Sequence, residues 1–172
     1  MSELSEAKYI IVMGVSGCGK TTVGQALAQA INVEFLDGDD YHPPENKRKM
    51  ANSIPLTDDD RWPWLAALAT AMHEASNETG KSVSACSALK RTYRDYLRAH
   101  LDGPVLFVHL AGDKQTILDR MSHRHHEYMP SSLLDSQFTT LEPPAEDELC
   151  LTQTIKDPVE TIVANVVSIL AK

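Results

Sequence analysis

No stretch of the 172-residue chain holds the roughly 18 consecutive apolar residues of a membrane-spanning helix, so a helical membrane protein is not expected. The opening segment, MSELSEAK, is polar and acidic and lacks the apolar centre of a secretory leader. Cysteine is scarce and odd in number. Cys18, Cys86 and Cys150 are too widely spaced for a zinc site and do not suggest a disulfide framework, which fits a reducing cytoplasm. Positive charge is also short, with 16 Lys and Arg against 24 Asp and Glu for a net charge of −8. That balance argues against a general nucleic-acid binder, whose phosphate contacts need a basic surface. It leaves room for a small anionic ligand in a local basic pocket. Internal repeats and low-complexity tracts are absent. With 42% hydrophobic and 23% charged residues, the chain suits one globular domain over residues 1–172 with a full core.

Strand and helix patterns alternate along the chain. Apolar β-branched runs at 8–13, 33–36, 82–86 and 105–110 read as strands, with a weaker one at 149–155. Helical spacing is seen from Thr21 to Ile31, from Asp58 to near Gly80, at 89–101, from Asp113 to Arg120, up to about Leu141, and after Pro158. Pro43 and Pro44 suit the first turn of another helix, and Thr57 followed by three aspartates marks a helix start. Five strands separated by helices predict an α/β domain with a parallel sheet. Ligands of such sheets collect beyond the C-terminal strand ends. Residues of about 40–60 and 121–142 would flank that edge as a substrate cover and a lid.

The most informative segment is Gly14-Val15-Ser16-Gly17-Cys18-Gly19-Lys20-Thr21, which matches the phosphate-binding pattern G-x-x-x-x-G-K-[ST]. It lies between a strand and a helix, where backbone N–H groups and the helix N-terminus, including Thr22, can cradle phosphates. Lys20 supplies a mobile charge for the β- and γ-phosphates of ATP, and Thr21 a hydroxyl for Mg²⁺. Cys18 reads as a tolerated small residue.

Asp37-Gly38-Asp39 follows the second strand. Phosphoryl transfer to a hydroxyl needs a group that orients the nucleophile and takes its proton. Asp39 is the candidate base, and Asp37 is placed near Mg²⁺ through water. His42, with Lys47, Arg48 and Lys49 close by, could bond a polyol and neutralise a carboxylate, although part of that cluster is expected to be a solvated helix face. Arg61 is unexpected at a positive helix end, which suggests an ion pair or a ligand. Trp62 and Trp64 read as packing. After the third strand, Ser87 and Lys90 are candidates for substrate, with Arg91 and Arg94 either joining them or forming a basic helix face. No aspartate stands there to hold magnesium, so that duty falls to Thr21 and Asp37. Arg120 and Arg124, four apart, would face the same way and clamp the nucleotide. His123, His125 and His126 fit no metal signature and read as exposed lid residues.

Taken together, these motifs resemble the P-loop small-metabolite kinases, and most closely the gluconokinases of the thermoresistant type. The resemblance is carried by MGVSGCGKT at 13–21, LDGDDYHP at 36–43, NKRKM at 46–50, PLTDDDRWPWL at 55–65, CSALKRTYRD at 86–95, Arg120 to Arg124, and SQFTTLEPP at 136–144. It implies transfer of phosphate from ATP to D-gluconate, a five-stranded P-loop kinase fold, Mg²⁺ as cofactor, and a homodimer. It implies that Lys20 and Asp39 are catalytic and that His42, Lys49, Arg61 and Lys90 contact the sugar acid. Where the family's lid often reads Gly-His-Phe-Met, this chain has His126-Glu127-Tyr128-Met129. Shikimate kinases carry Gly-Gly-x-Gly where this chain has Cys86-Ser87-Ala88-Leu89-Lys90. A nucleotide-binding regulatory module is the alternative outside enzymes, and intact Lys20, Thr21 and Asp39 speak against it.

Overall fold

The structure, a computed structural model, describes residues 3–122 and 131–172. Its elements run β1 (Tyr9–Met13), α1 (Lys20–Ile31), β2 (Glu34–Asp37), α2 (Pro44–Ala51), α3 (Asp58–Thr79), β3 (Ser82–Ala85), α4 (Arg91–His100), β4 (Val105–Ala111), α5 (Lys114–Ser122), α6 (Ser131–Thr140), β5 (Cys150–Thr154) and α7 (Val159–Leu170). The five strands form one parallel sheet in the order β2-β3-β1-β4-β5. β1 lies at its centre with all five residues buried, which explains its unbroken apolar run.

The side-chain period of two divides the core between the two faces. Ile10, Val12, Leu106 and Val108 pack with Val23 and Leu27 of α1 and Ile162 and Val166 of α7. Tyr9, Ile11, Met13 and Phe107 pack on the other face with Trp64, Leu65, Leu68 and Met72 of α3 and Leu97 of α4. β5 is an edge strand without a fully buried residue, consistent with its weak pattern.

Local signals set several boundaries. Thr57 and Asp60 cap α3 reciprocally, side chain to backbone in both directions, and Gly80 ends the helix at φ 85°. Pro44 opens α2 in its first turn. α4 departs from expectation: it starts at Arg91 rather than Leu89. Ala88 takes φ 45°, Lys90 is extended, and the carbonyls of Ala88 and Leu89 are turned to the buried Arg94 guanidinium, at 2.8 and 3.2 Å.

Register brings the chemistry to one edge. Met13 pairs with His109, Val12 with Ala85, and Ala85 with Asp37. The phosphate loop, the Asp37–Asp39 turn and the Cys86–Lys90 loop therefore leave the sheet side by side.

Candidate active site

In the phosphate loop, Gly14, Gly17 and Gly19 have φ of 146°, 82° and 97°, a region that side chains rarely enter. A Cβ on Gly14 would lie 2.8 Å from Cys18 Sγ and 3.0 Å from the Leu110 carbonyl, so the loop is pressed against the end of β4. A Cβ on Gly19 would meet no protein atom within 4 Å; that side is open. α1 has no side-chain cap and no acid in its first turn, and Thr21 and Thr22 are exposed. α3 is the contrast, since its N-terminus is filled by a capping box and three aspartates. The free amides and positive end of α1 form a cradle for phosphate. Lys20 Nζ, which would reach those phosphates, donates to the Val15 carbonyl at 3.1 Å. Cys18 is buried and its thiol is pushed up by desolvation, which makes it packing rather than a nucleophile.

Asp37 accepts from the Asp39 amide at 3.1 Å and so caps the short 3-10 turn Gly38–Tyr41. Its carboxyl is raised, chiefly by desolvation. Gly38 is required by closeness: a Cβ there would sit 2.4 Å from the Ala85 carbonyl at the end of β3. Asp39 is exposed on the turn. The buried Cys86 thiol, at the start of the loop after β3, is raised to about 12 mainly by burial, with smaller effects from the charges of Lys20, Asp39 and Arg61.

The expected cover is α2 and the start of α3. His42 is buried and stacks on Trp64 with ring centroids 4.0 Å apart, while Trp64 Nε1 donates to the Gly38 carbonyl at 2.7 Å. Asn46 Nδ2 donates to His42 Nδ1 at 3.2 Å and to the Asp60 carbonyl at 2.8 Å. The ring accordingly keeps its own proton on Nε2. Burial, aided by Arg61 and Lys47, lowers its pKa to about 4. A ring of that pKa is neutral near pH 7, which leaves the neutralising of a carboxylate to the neighbouring cations; the Nε2–H remains able to bond a hydroxyl. Lys49 pairs with Asp60 at 2.7 Å, and Lys90 with Asp58 at 3.2 Å. Lys47 and Arg48 are exposed, the solvated face expected of that cluster. Arg61 has no ion pair among the described residues: Nη2 donates to the Leu56 carbonyl at 3.4 Å, Nε is buried without a partner, and the guanidinium lies 5.2 Å from the Tyr93 ring centre.

The loop after β3 is tied to the phosphate loop by the Gly14 amide, which donates to the Ser87 carbonyl at 3.2 Å. Ser87 is half-buried beside it. Arg91 and Arg94 are both held by carboxylates of the chain and do not form an open basic face. Arg91 forks onto Asp147 at 2.8 and 2.7 Å, and Arg94, fully buried, pairs with Glu148 at 2.8 Å. Arg120 donates to the Ile155 carbonyl and lines a cavity of about 230 Å³ with Gly19, Thr22, Val23, Pro158 and Val159. Arg124 and the lid histidines His123, His125 and His126 lie outside the described residues. Sequence reasoning missed the apolar wall of this cavity. Pro158 was legible as a helix start, but only the fold brings it beside Thr22. It also missed Asn46, a buried amide whose partners stand 4 and 14 residues away.

A phosphate cradle at the central strand of a parallel 2-3-1-4-5 sheet defines a P-loop kinase. A model of the shikimate kinase family matches residues 16–163. The thermosensitive gluconokinase of Escherichia coli K12 is 49% identical over 140 residues, 80% of this chain and 73% of that protein. The thermoresistant gluconokinase of the same organism is 41% identical over 164 residues, 94% of this chain and 93% of that one. A crystal structure of a gluconokinase from Sinorhizobium meliloti 1021 superposes with a TM-score of 0.84 at 47% identity, covering 95% of this chain and 91% of that one. The chain belongs to the gluconokinase family.

Proposed function

We propose that this protein transfers the γ-phosphoryl group of ATP to the primary hydroxyl of D-gluconate, giving ADP and 6-phospho-D-gluconate. The observation that carries the substrate assignment is the set of cations on the acceptor side. Lys49 and Lys90 rest on the chain's own Asp60 and Asp58, and Arg61 rests on no carboxylate among the described residues. A sugar acid can supply the anion that Arg61 lacks and compete for the two lysines.

In this reading the amides of Gly17 to Thr22 hold the phosphates, and Lys20 moves from the Val15 carbonyl to the transferring group. The apolar cavity beside Arg120 takes the adenine. Asp39 accepts the hydroxyl proton as the new O–P bond forms and the bond to the leaving ADP breaks. His42 Nε2–H, Ser87 and the three cations orient the sugar acid. Thr21, exposed at the head of α1, and the half-buried Asp37 are the residues that would hold Mg²⁺, whose charge offsets that of the phosphates. The reading includes a homodimer working in the cytoplasm, supported by the family resemblance and by three unpaired cysteines.

A coupled ADP-release assay with MgATP tests it. Turnover is expected with D-gluconate and not with shikimate, AMP or no acceptor. Turnover with shikimate in preference to gluconate would overturn the substrate assignment.

A further inference from the structure

One peptide unit of the phosphate loop is held at both ends. The Val15 carbonyl accepts from Lys20 Nζ at 3.1 Å, and the Ser16 N–H of the same peptide donates to Gln137 Oε1 at 2.7 Å. Gln137 Nε2 donates in turn to Ser16 Oγ at 3.1 Å. A single carboxamide thus grips both polar groups of Ser16 from α6, 121 residues away. A trans peptide is rigid and planar, with N–H and C=O pointing in opposite directions. Pinning the N–H therefore fixes the carbonyl on which Lys20 rests.

The segment that carries Gln137 is itself anchored to the acceptor side. Just beyond α6, the Glu142 amide donates to the Leu89 carbonyl at 2.8 Å, and Glu142 Oε1 accepts from the Arg91 amide at 3.1 Å. Gln137 thereby joins the loop of Lys20 to the loop of Ser87 and Lys90.

We propose that Gln137 is a positioning residue for phosphoryl transfer. It holds the Val15–Ser16 peptide still while Lys20 leaves the Val15 carbonyl for the γ-phosphate, and so acts on kcat through Lys20. This rests on the reaction proposed above. The Cys18 amide also donates to the Val15 carbonyl, at 3.3 Å, so without Gln137 the peptide keeps that turn bond but loses its anchor to α6, and the seat of the lysine is loosened. ATP affinity depends mainly on the amides at the head of α1, which Gln137 does not touch.

The test compares Gln137→Met, of similar length but without hydrogen bonds, with Ser16→Ala and the double variant. The measurements are kcat, the Kd of ATP by direct titration without acceptor, and Tm. Gln137→Met is expected to lower kcat roughly tenfold, as the loss of two hydrogen bonds in the transition state would. Its ATP Kd is expected to stay within about threefold, which the same scale of interaction sets as a small change. The double variant should be no slower than Gln137→Met, because the one bond that Ser16→Ala removes is already lost with Gln137. Gln137→Asn, drawn back by one methylene, should behave like Gln137→Met and guards against a misfolded first variant.

Unchanged kcat in Gln137→Met would overturn the proposal. So would a rise in ATP Kd at constant kcat, losses that multiply in the double variant, or a loss explained by the folded fraction alone. A parent enzyme inactive with D-gluconate would refute the substrate assignment instead. The same comparison on acceptor-free ATP hydrolysis would then still test Gln137.

Discussion

Asp37 and Asp39 are two residues apart, yet one bends inward to cap a turn and the other stands exposed at its tip. Asp39→Asn keeps that backbone bond and removes the proposed base. It is expected to lower kcat roughly 10²–10⁴-fold while ATP binding persists, which steady-state rates and ATP titration check together. Lys20→Ala removes charge from the transition state and should cost roughly 10²–10³-fold in kcat; near-parental turnover would remove Lys20 from the mechanism. His42 sets a pH dependence of stability. Its pKa is about 4 when folded, against 6.5 ordinarily, so between those values the unfolded chain binds a proton that the folded chain refuses. Stability therefore rises with pH through this window and is lost as pH falls through it. The buried His109, also lowered by burial, acts in the same sense. The urea midpoint should be lower at pH 5 than at pH 7, and His42→Gln should narrow the gap; a wider gap in the variant would contradict a buried neutral ring. The phosphate loop was legible at this scale because its backbone conformations are written in three closely spaced glycines, Gly14, Gly17 and Gly19. The neutrality of His42 was not, because Trp64 and Asn46 reach it from two different helices.

Elements were read well where periodicity is strong and poorly where a buried charge intervenes. β1 and α3 follow their apolar patterns closely. The start of α4 does not, because Arg94 takes the carbonyls that would have opened the helix two residues earlier. A sequence shows an arginine on an amphipathic helix; it does not show that Glu148, 54 residues on, will meet it in the core. Burial alone would raise the Glu148 carboxyl, but Arg94, the Ala145 amide and Arg98 outweigh it and bring the pKa to about 2. Arg94→Met leaves that carboxylate buried with less compensation and is expected to destabilise by about 3–5 kcal/mol, measured by urea unfolding. Replacing Arg94 and Glu148 together by apolar residues should cost less than Arg94→Met alone. If it costs more, the bonds that the pair makes to Ala88, Leu89, Ala145 and Arg98 outweigh the cost of burying its charges.

The chain as a whole is acidic, and the acceptor side proposed above gathers Lys49, Arg61 and Lys90. The net charge of −8 argued against nucleic acid and left a small anion open, and the cations proposed to meet such an anion sit on α2, α3 and the loop after β3. The parallel sheet and the convergence of three loops on one edge were legible, since both follow from alternating strands and helices. The pairing of Lys49 and Lys90 with carboxylates of the chain, and the lack of one for Arg61 among the described residues, were not, because charge counts carry no geometry. At this scale the homodimer is tested by light scattering, with twice the chain's own mass expected. The central claim is that phosphate passes to the primary hydroxyl of D-gluconate, and phosphorus–proton correlation on the reaction product tests it most directly. A phosphorus signal coupled to the two protons of one CH₂ group is the predicted result; coupling to a single CH proton, or no gluconate-dependent phosphoester, would contradict it.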